Sequence, residues 1–397
     1  MAQLCRTITP VRSPALRLTV AGAAVVGVAY GMGRYAFGLT LPSLRADPSL
    51  SSSGLDDAVL GLIASGSFAG YLAGLLLAPV IGRRFGPRAP TTVGSVCGLV
   101  GGALAAGATS PLVLAVGVVL AGSAAGWVWA AYSDLAAVVV DAPARPRALA
   151  IISTGTSAGL VVSGVVGLWA IGVPGWRLVW VAIGLASAAT GLLNLRWTPR
   201  LPPAPVGRAG RIALRGLGVP LAYSVAFHVG VTTFFTWAAD MLRRAALAPG
   251  WAPTLYALVG VVGLVGLGIG GWCARFGTVR VAAACLLFLG ASLVVLGTGA
   301  GSGIVALVAA AIYAPGIMGG AAVLAVWTAE IEPERSGEAL TVVVAVGATA
   351  AVMAPAIVGL LLGIVSLTAV LVGLAVLLVI TAVLILTPRT GTPAPPP

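Results

Sequence analysis

Residues 196–215 read RWTPRLPPAPVGRAGRIALR, the longest polar interruption in a chain that is otherwise almost continuously apolar. It holds five arginines and four prolines and lies at the midpoint of 397 residues. On either side, Gly, Pro and charge clusters divide the sequence into runs of about the 20 apolar residues that a bilayer-crossing helix needs. Six runs precede it, at 18–41, 58–81, 91–108, 112–139, 149–172 and 177–197. Six follow, at 216–239, 253–273, 279–299, 302–328, 339–363 and 365–386. The division between the third and fourth rests only on Thr109, Ser110 and Pro111.

Composition agrees with twelve spans. The chain is 59% hydrophobic and 8% charged, with a mean hydropathy of +1.09. Soluble domains carry about 25% charged residues, so a water-soluble fold of this size is excluded. The net charge of +12 would suggest nucleic acid in a soluble chain. Here the arginines cluster between apolar runs, which is a matter of membrane orientation instead, so no nucleic-acid partner is expected. With the termini and even-numbered connections taken as cytoplasmic, seventeen arginines fall inside and four (Arg45, Arg177, Arg243 and Arg244) fall outside, with Arg34 inside a span. Both termini are therefore expected in the cytoplasm. The basic start and the apolar run after it resemble a secretory signal, but the run is too long and lacks a cleavage site, so it reads as an uncleaved first helix. The expected layout is a cytoplasmic segment over 1–17, a first bundle over 18–197, a cytoplasmic linker over 198–215, a second bundle over 216–387 and a disordered Pro-rich tail over 388–397.

The two sets of six spans look duplicated. Arg84-Phe85-Gly86 recurs as Arg275-Phe276-Gly277 at an offset of 191, Gly155 as Gly347 at 192, and Ala29-Tyr30 as Ala222-Tyr223 at 193. Parallel repeats of this kind place a substrate site between the halves near the bilayer midplane.

In these features the sequence resembles the major facilitator superfamily over residues 16 to 388. RRFGPR (83–88) is similar to its Gly-x-x-x-Asp-Arg-x-Gly-Arg-Arg loop signature and ARFGTVR (274–280) to the second copy; Gly175-Trp176-Arg177 is also common there. GMGRYAFGLTLPSLRADPSLS (31–51), AAYSDLAAVV (130–139) and TWAADML (236–242) resemble its YbfB/YjiJ branch. The resemblance implies an all-α fold of twelve transmembrane helices in two pseudo-symmetric six-helix bundles. It also implies a monomer in the cytoplasmic (inner) membrane of a bacterium, in contact with membrane lipids. The implied function is a secondary transporter that moves a small-molecule substrate by alternating access, with proton-coupled efflux as the leading expectation. A uniporter, an importer or a non-transporting sensor are the alternatives. The loop acid of the signature is replaced by Arg83 and Ala274, and Val118 stands near the place of the exporters' fourth-span Arg. Gly155, Gly159 and Gly164 match the exporters' fifth-span packing motif, although Leu160 replaces its Pro.

Ionisable groups inside spans are functional candidates by default. Arg34 is about 24 Å along the first span, where it reads either as an anion or polar-substrate contact or as a structural arginine. Asp134 is about 9 Å from the cytoplasmic end of the fourth span and about 15 Å from Arg34 in depth; it either carries a proton or pairs with Arg145 or Arg147 as a gate. His228, the single histidine, is about 18 Å along the seventh span, and the offset of 193 matches it to Tyr35. It suits proton coupling, or a neutral interhelical bond. Trp127, Trp129, Tyr132 and Trp237 are candidate pathway residues, the tryptophans by stacking. Asp240, with Arg243 and Arg244 on the same helix face, reads as an ion pair at the outer rim or a contact toward the first helix. Arg83, Arg84 and Arg275 in the loop signatures complete the candidate gate.

The four cysteines lack metal-type spacing, and no metal site or cofactor is expected; the energy source is the proton gradient. Without a single lysine no phosphate-binding loop exists, which excludes ATP-driven transport by this chain alone. One histidine cannot supply the ligands of an intramembrane metalloprotease, and the chain does not read as an enzyme.

Overall fold

The computed structural model describes residues 13–51, 55–171, 175–203 and 216–387. Most of the expected N-terminal segment, most of the linker and the whole C-terminal tail lie outside the described residues. Among them, twelve helices are long and apolar enough to cross a bilayer, and no strand occurs. They are α1 Pro14–Ala46, α2 Asp57–Phe85, α3 Arg88–Ala106, α4 Pro111–Val139, α5 Arg145–Ala170 and α6 Trp176–Trp197, then α7 Gly218–Arg244, α8 Trp251–Phe276, α9 Thr278–Gly299, α10 Gly303–Ile331, α11 Pro333–Leu361 and α12 Leu367–Leu386. The multi-pass all-helical fold is the one expected.

Local chemistry sets the ends. Ser13, Asp56, Ser110 and Ser366 each cap a helix, their side chains accepting from Leu16, Val59, Val113 and Ala369 respectively; such caps satisfy amides that the first turn leaves without partners. Several helices outrun the apolar stretches: α1 reaches Ala46 rather than 41, α5 starts at Arg145 rather than 149, and α7 continues to Arg244 rather than 239. The added turns carry charge, which a backbone already hydrogen-bonded along its own axis tolerates outside the hydrocarbon.

The repeat is visible in the backbone. Gly86 and Gly277 end α2 and α8 at φ 87° and φ 85°, a left-handed conformation that glycine adopts without steric cost. Beside them Arg84 lies over Phe85 and Arg275 over Phe276, with 5.4 and 5.2 Å to the ring centroids. The recurring Arg-Phe-Gly is thus one turn built twice.

Helix packing relies on small residues, as expected where lipid offers no hydrophobic drive between helices. The halves meet chiefly along three pairs, α1 with α7, α2 with α11 and α5 with α8. A Cβ at Gly61 would lie 2.5 Å from the Pro355 carbonyl, and one at Gly164 would lie 2.5 Å from that of Pro253. Ser65 also accepts a bond from the Ala356 amide at 3.0 Å. The closest approach is at Gly38, where a Cβ would fall 1.6 Å from the Phe235 carbonyl oxygen. All these contacts lie toward the end that carries the α1–α2 and α7–α8 connections. That end holds only Arg45, Arg177, Arg243 and Arg244, and we refer to it as the arginine-poor end.

Gly38→Ala should therefore force α1 from α7 and cost about 1–3 kcal/mol, the usual range for overpacking. Gly373→Ala in α12, where nothing lies within 4 Å, should be neutral. Thermal unfolding in detergent checks this pair: a drop of several degrees for the first and none for the second is expected, and equal stability would contradict the close approach.

Candidate functional site

The candidate site forms where α1 loses its α-helical register. GVAYGMG (27–33) is a π-helix, and the Arg34 amide donates five residues back to the Ala29 carbonyl at 3.1 Å. Tyr35 then sits at φ −113°, ψ 0°, and the α-helix resumes at Ala36. A wider turn of this kind occurs mostly at functional sites. Glycines permit it, because α5 presses on the segment: a Cβ at Gly27 would lie 2.8 Å from the Gly155 carbonyl, and one at Gly31 would lie 2.6 Å from Gly159 Cα. Ser163 of α5 donates to the Gly31 carbonyl at 3.2 Å.

The broken helix buries Arg34, which is 7% exposed. Its guanidinium carbon lies 3.9 Å from the ring centroid of Tyr71 and 5.5, 5.5 and 5.6 Å from those of Tyr30, Tyr35 and Phe68. Four rings attract the cation through their quadrupoles but bring no counter-charge. Its Nε is buried without a hydrogen-bond partner. A cavity of about 10 Å³, space for roughly one water, adjoins Arg34, Tyr35, Ser67, Phe68, Phe235 and Thr236.

Toward the arginine-poor end, rings close the site. Tyr35 stacks on Phe235 across the halves with centroids 3.8 Å apart. Phe235 meets Tyr256 and Tyr313 edge-on, and Phe234 stacks on Tyr313 at 3.7 Å. Tyr256 Oη donates to the Phe235 carbonyl at 2.7 Å, which fixes the backbone that Gly38 touches.

An ionic lock covers the rings. Asp240 of α7 is fully buried and accepts from Arg243 at 3.1 Å, from Arg244 at 2.7 Å and, across the halves, from Arg45 at 3.1 Å. Asp57 at the start of α2 pairs with the same Arg45 and, again across the halves, with Arg244 at 2.7 Å. Beside the lock, Asp47 ties α1 to α6 through Arg177 Nη1 at 2.5 Å, Trp176 Nε1 at 2.8 Å and Ser49. Burial raises the Asp47 pKa, but the hydrogen bonds from Ser49, Arg177 and Trp176 outweigh it and hold the carboxyl well below the usual carboxylate range. The clamp's contribution is therefore present at neutral and mildly acid pH and is lost only as pH falls below that range.

On the other side of the rings, His228 is buried in α7. Its Nδ1 lies 2.8 Å from the Ser224 carbonyl and 3.2 Å from Ser224 Oγ, which itself donates to the Val343 carbonyl at 2.8 Å. A carbonyl acceptor makes Nδ1 the protonated nitrogen and leaves Nε2 as the basic one. Gly347 of α11 makes room for this arrangement, since a Cβ there would lie 2.3 Å from Nδ1. The sequence offset matches His228 to Tyr35, but Tyr35 meets Phe235, seven residues or about 10 Å further along α7.

The remaining candidates divide by location. Tyr132 is not on a central pathway: it is fully buried, and its hydroxyl donates to Asn194 Oδ1 at 2.8 Å between α4 and α6. Trp127 is half-buried, packed against Gly74 of α2 and Gly94 of α3; Trp129 is also half-buried. Trp237 is fully buried with Nε1 lacking a partner. Asp134 is exposed and forms no ion pair with Arg145 or Arg147; Arg145 donates instead to the Ala137 carbonyl at 2.6 Å, and Arg147 is exposed. Arg83, Arg84 and Arg275 are exposed at the ends of α2 and α8 and bridge no halves among the described residues. Gly155 and Gly159 seat α5 on α1, whereas Gly164 seats it on α8. Sequence reading missed Arg45, Asp57 and the rings of Tyr30, Phe68, Tyr71, Phe235, Tyr256 and Tyr313. The first two had a signal, since opposite charges at the ends of α1 and α2 share a rim with Asp240. No group of three or more metal-ligating side chains occurs among the described residues.

A family model described as Major Facilitator Superfamily matches residues 23–242, more than half of the chain. The chain is similar in structure to a D-xylose-proton symporter at 17% identity and TM-score 0.77, with 96% of this chain and 99% of that one covered. It is similar to the nucleoside transporter NupG at 13% and 0.71, covering 93% and 100%. It is also similar to a peptide transporter POT in complex with alafosfalin at 15% and 0.74, covering 94% and 93%. At these identities the likeness is one of fold. No curated protein matches the sequence.

Breaking a buried ion pair costs about 3–5 kcal/mol, and Asp240→Asn removes the link to Arg45 that only the closed arrangement makes, besides the two pairs within α7. A cysteine introduced at Thr236, 3% exposed beneath the lock, should react with maleimide at least about tenfold faster in that variant. The native cysteines are replaced in both proteins. Unchanged labelling would show that the lock does not hold the end shut.

Proposed function

Because the chain belongs to the Major Facilitator Superfamily, we propose that it is a secondary transporter that exports a small organic molecule across a bacterial cytoplasmic membrane in exchange for protons. The observation that carries this reading is closure at one end. The halves are sealed there by Gly38, stacked rings and a lock of five charged groups, while His228 and Arg34 lie beneath the seal. The positive-inside bias supports the arginine-rich end as the cytoplasmic one, and on that reading this conformation is shut to the outside. Alternating access follows when the halves rock about the central site. Every element of the seal is a side-chain or glycine contact, so it can part and re-form without loss of secondary structure.

Proton exchange rests on His228. Its Nε2 is the basic nitrogen left once Nδ1 bonds the Ser224 carbonyl, and it is the single histidine of the chain. Asp134, exposed toward the arginine-rich end, has no part in the reading. Export rests on the fifth-span glycines Gly155, Gly159 and Gly164, and the YbfB/YjiJ branch on the three stretches quoted above. The chain acts as a monomer. The similar structures concern D-xylose, nucleosides and peptides by their titles, and so select no substrate. A non-transporting sensor is the second reading, favoured by Arg83 and Ala274 in place of the loop acid.

Inverted vesicles carrying a preformed proton gradient test the proposal. A compound that collapses the gradient in the wild type should fail to do so with His228→Gln and should still do so with Asp134→Asn. Dissipation that persists in His228→Gln would remove the histidine from coupling. A gradient unmoved by a panel of sugars, amino acids, aromatic acids and lipophilic cations would favour uniport or the sensor.

A further inference from the structure

The transport reading leaves the chemistry of the substrate open, and the placement of charge supplies it. The sequence contains ten acidic residues, all among those described. Asp47, Asp56, Asp57 and Asp240 stand at the arginine-poor end, where Asp56 caps α2 and the others are ion-paired. Asp134, Asp141, Glu330, Glu332, Glu334 and Glu338 lie toward the arginine-rich end. None forms an ion pair with Arg34, so the one cation buried beneath the seal has no counter-charge from the protein.

A buried charge without a partner is costly, and the cage around Arg34 reduces that cost without cancelling the charge. The aromatic rings attract it, but a quadrupole is no anion. Nε remains buried and without an acceptor. The side chain is more than nine-tenths buried, and it lines the cavity between α1, α2 and α7. The cavity's other polar groups are the hydroxyls of Tyr35, Ser67 and Thr236; its remaining walls are Phe37, Phe68, Phe235, Gly38 and Ala64.

Resting on the transporter reading, we propose that Arg34 is the anchor of the substrate and that the substrate is a small organic monocarboxylate. The guanidinium fork matches a carboxylate in two parallel hydrogen bonds. One Arg balances one negative charge, which disfavours dicarboxylates and phosphate monoesters at neutral pH. Apolar and aromatic walls take the body of the acid, and the hydroxyls complete its hydrogen bonding. In the closed arrangement the cavity has room for about one water, so the acid enters when the halves separate and turns a cation without a counter-charge into a neutral pair.

Binding to the full-length chain in detergent tests this, by thermal unfolding and intrinsic tryptophan fluorescence. The probes are benzoate, butyrate, succinate, inorganic phosphate, xylose and tetraphenylphosphonium. Benzoate or butyrate should stabilise the wild type, with succinate and phosphate weaker and the last two inert. Arg34→Gln, shown monodisperse by size exclusion, should bind the monocarboxylate at least about tenfold more weakly, while Arg34→Lys, which keeps the charge without the fork, should fall between. Binding of xylose or tetraphenylphosphonium alone, undiminished carboxylate binding in Arg34→Gln, or no response to any carboxylate would each overturn the assignment. The transport reading is judged separately by gradient collapse in vesicles. It survives if a non-carboxylate drives that collapse, and it fails together with the assignment if nothing does.

Discussion

Charge inside a hydrocarbon slab is the constraint on which the rest of this molecule depends. Placing an ionised side chain there is expensive enough that such residues face the protein interior and find partners. The chain follows this rule with ten carboxylates distributed toward the two ends of the bundle. The exception is Arg34, and the architecture around it is arranged to make that exception tolerable. A π-turn swings it inward, three tyrosines and a phenylalanine surround it, and two further layers separate it from the arginine-poor end.

Those layers differ in physical character. The ring layer is held by dispersion and shape, and it fits only because Gly38 lets α1 reach the backbone of α7. The ionic layer is held by charge: Asp240, fully buried, binds three arginines, and Asp57 shares two of them. Arg45 from one half and Arg244 from the other each contact both carboxylates, so the lock is a shared network rather than two separate pairs. A structure built this way can be strong when shut and still open, because moving the halves apart returns every charged member to the aqueous rim together.

The fold was legible in the sequence because membrane solvation writes it there directly. Twelve apolar runs, the midpoint interruption at 196–215 and the repeated Arg-Phe-Gly each reflect a requirement that leaves few alternatives, and Gly86 and Gly277 show the same left-handed turn in both halves. The site was only partly legible. Arg34, His228 and Asp240 stood out as rare polar groups. What they touch did not, because rings of Phe and Tyr in an apolar helix look alike whether they face lipid, core or cavity. Tyr132 illustrates the difficulty: it neighbours Asp134 in sequence, but a helix turns about 100° per residue, and its hydroxyl ends between α4 and α6. The π-segment was equally hidden, since its glycines read as packing residues, and Tyr35 meets Phe235 rather than the His228 that the offset suggested.

The proposed transport requires that the arginine-poor end, closed here, opens when the other end closes. Pulsed electron-spin distance measurements test it most directly, with label pairs at Ala46 and Ala248 on the arginine-poor end and at Ala144 and Gly337 on the other. All four positions are exposed. Two distance populations are expected at each end, the short one at one end accompanying the long one at the other, with Asp240→Asn shifting the balance toward the long distance between Ala46 and Ala248. A single unchanged distance at both ends, in the wild type and in the variant alike, would contradict it.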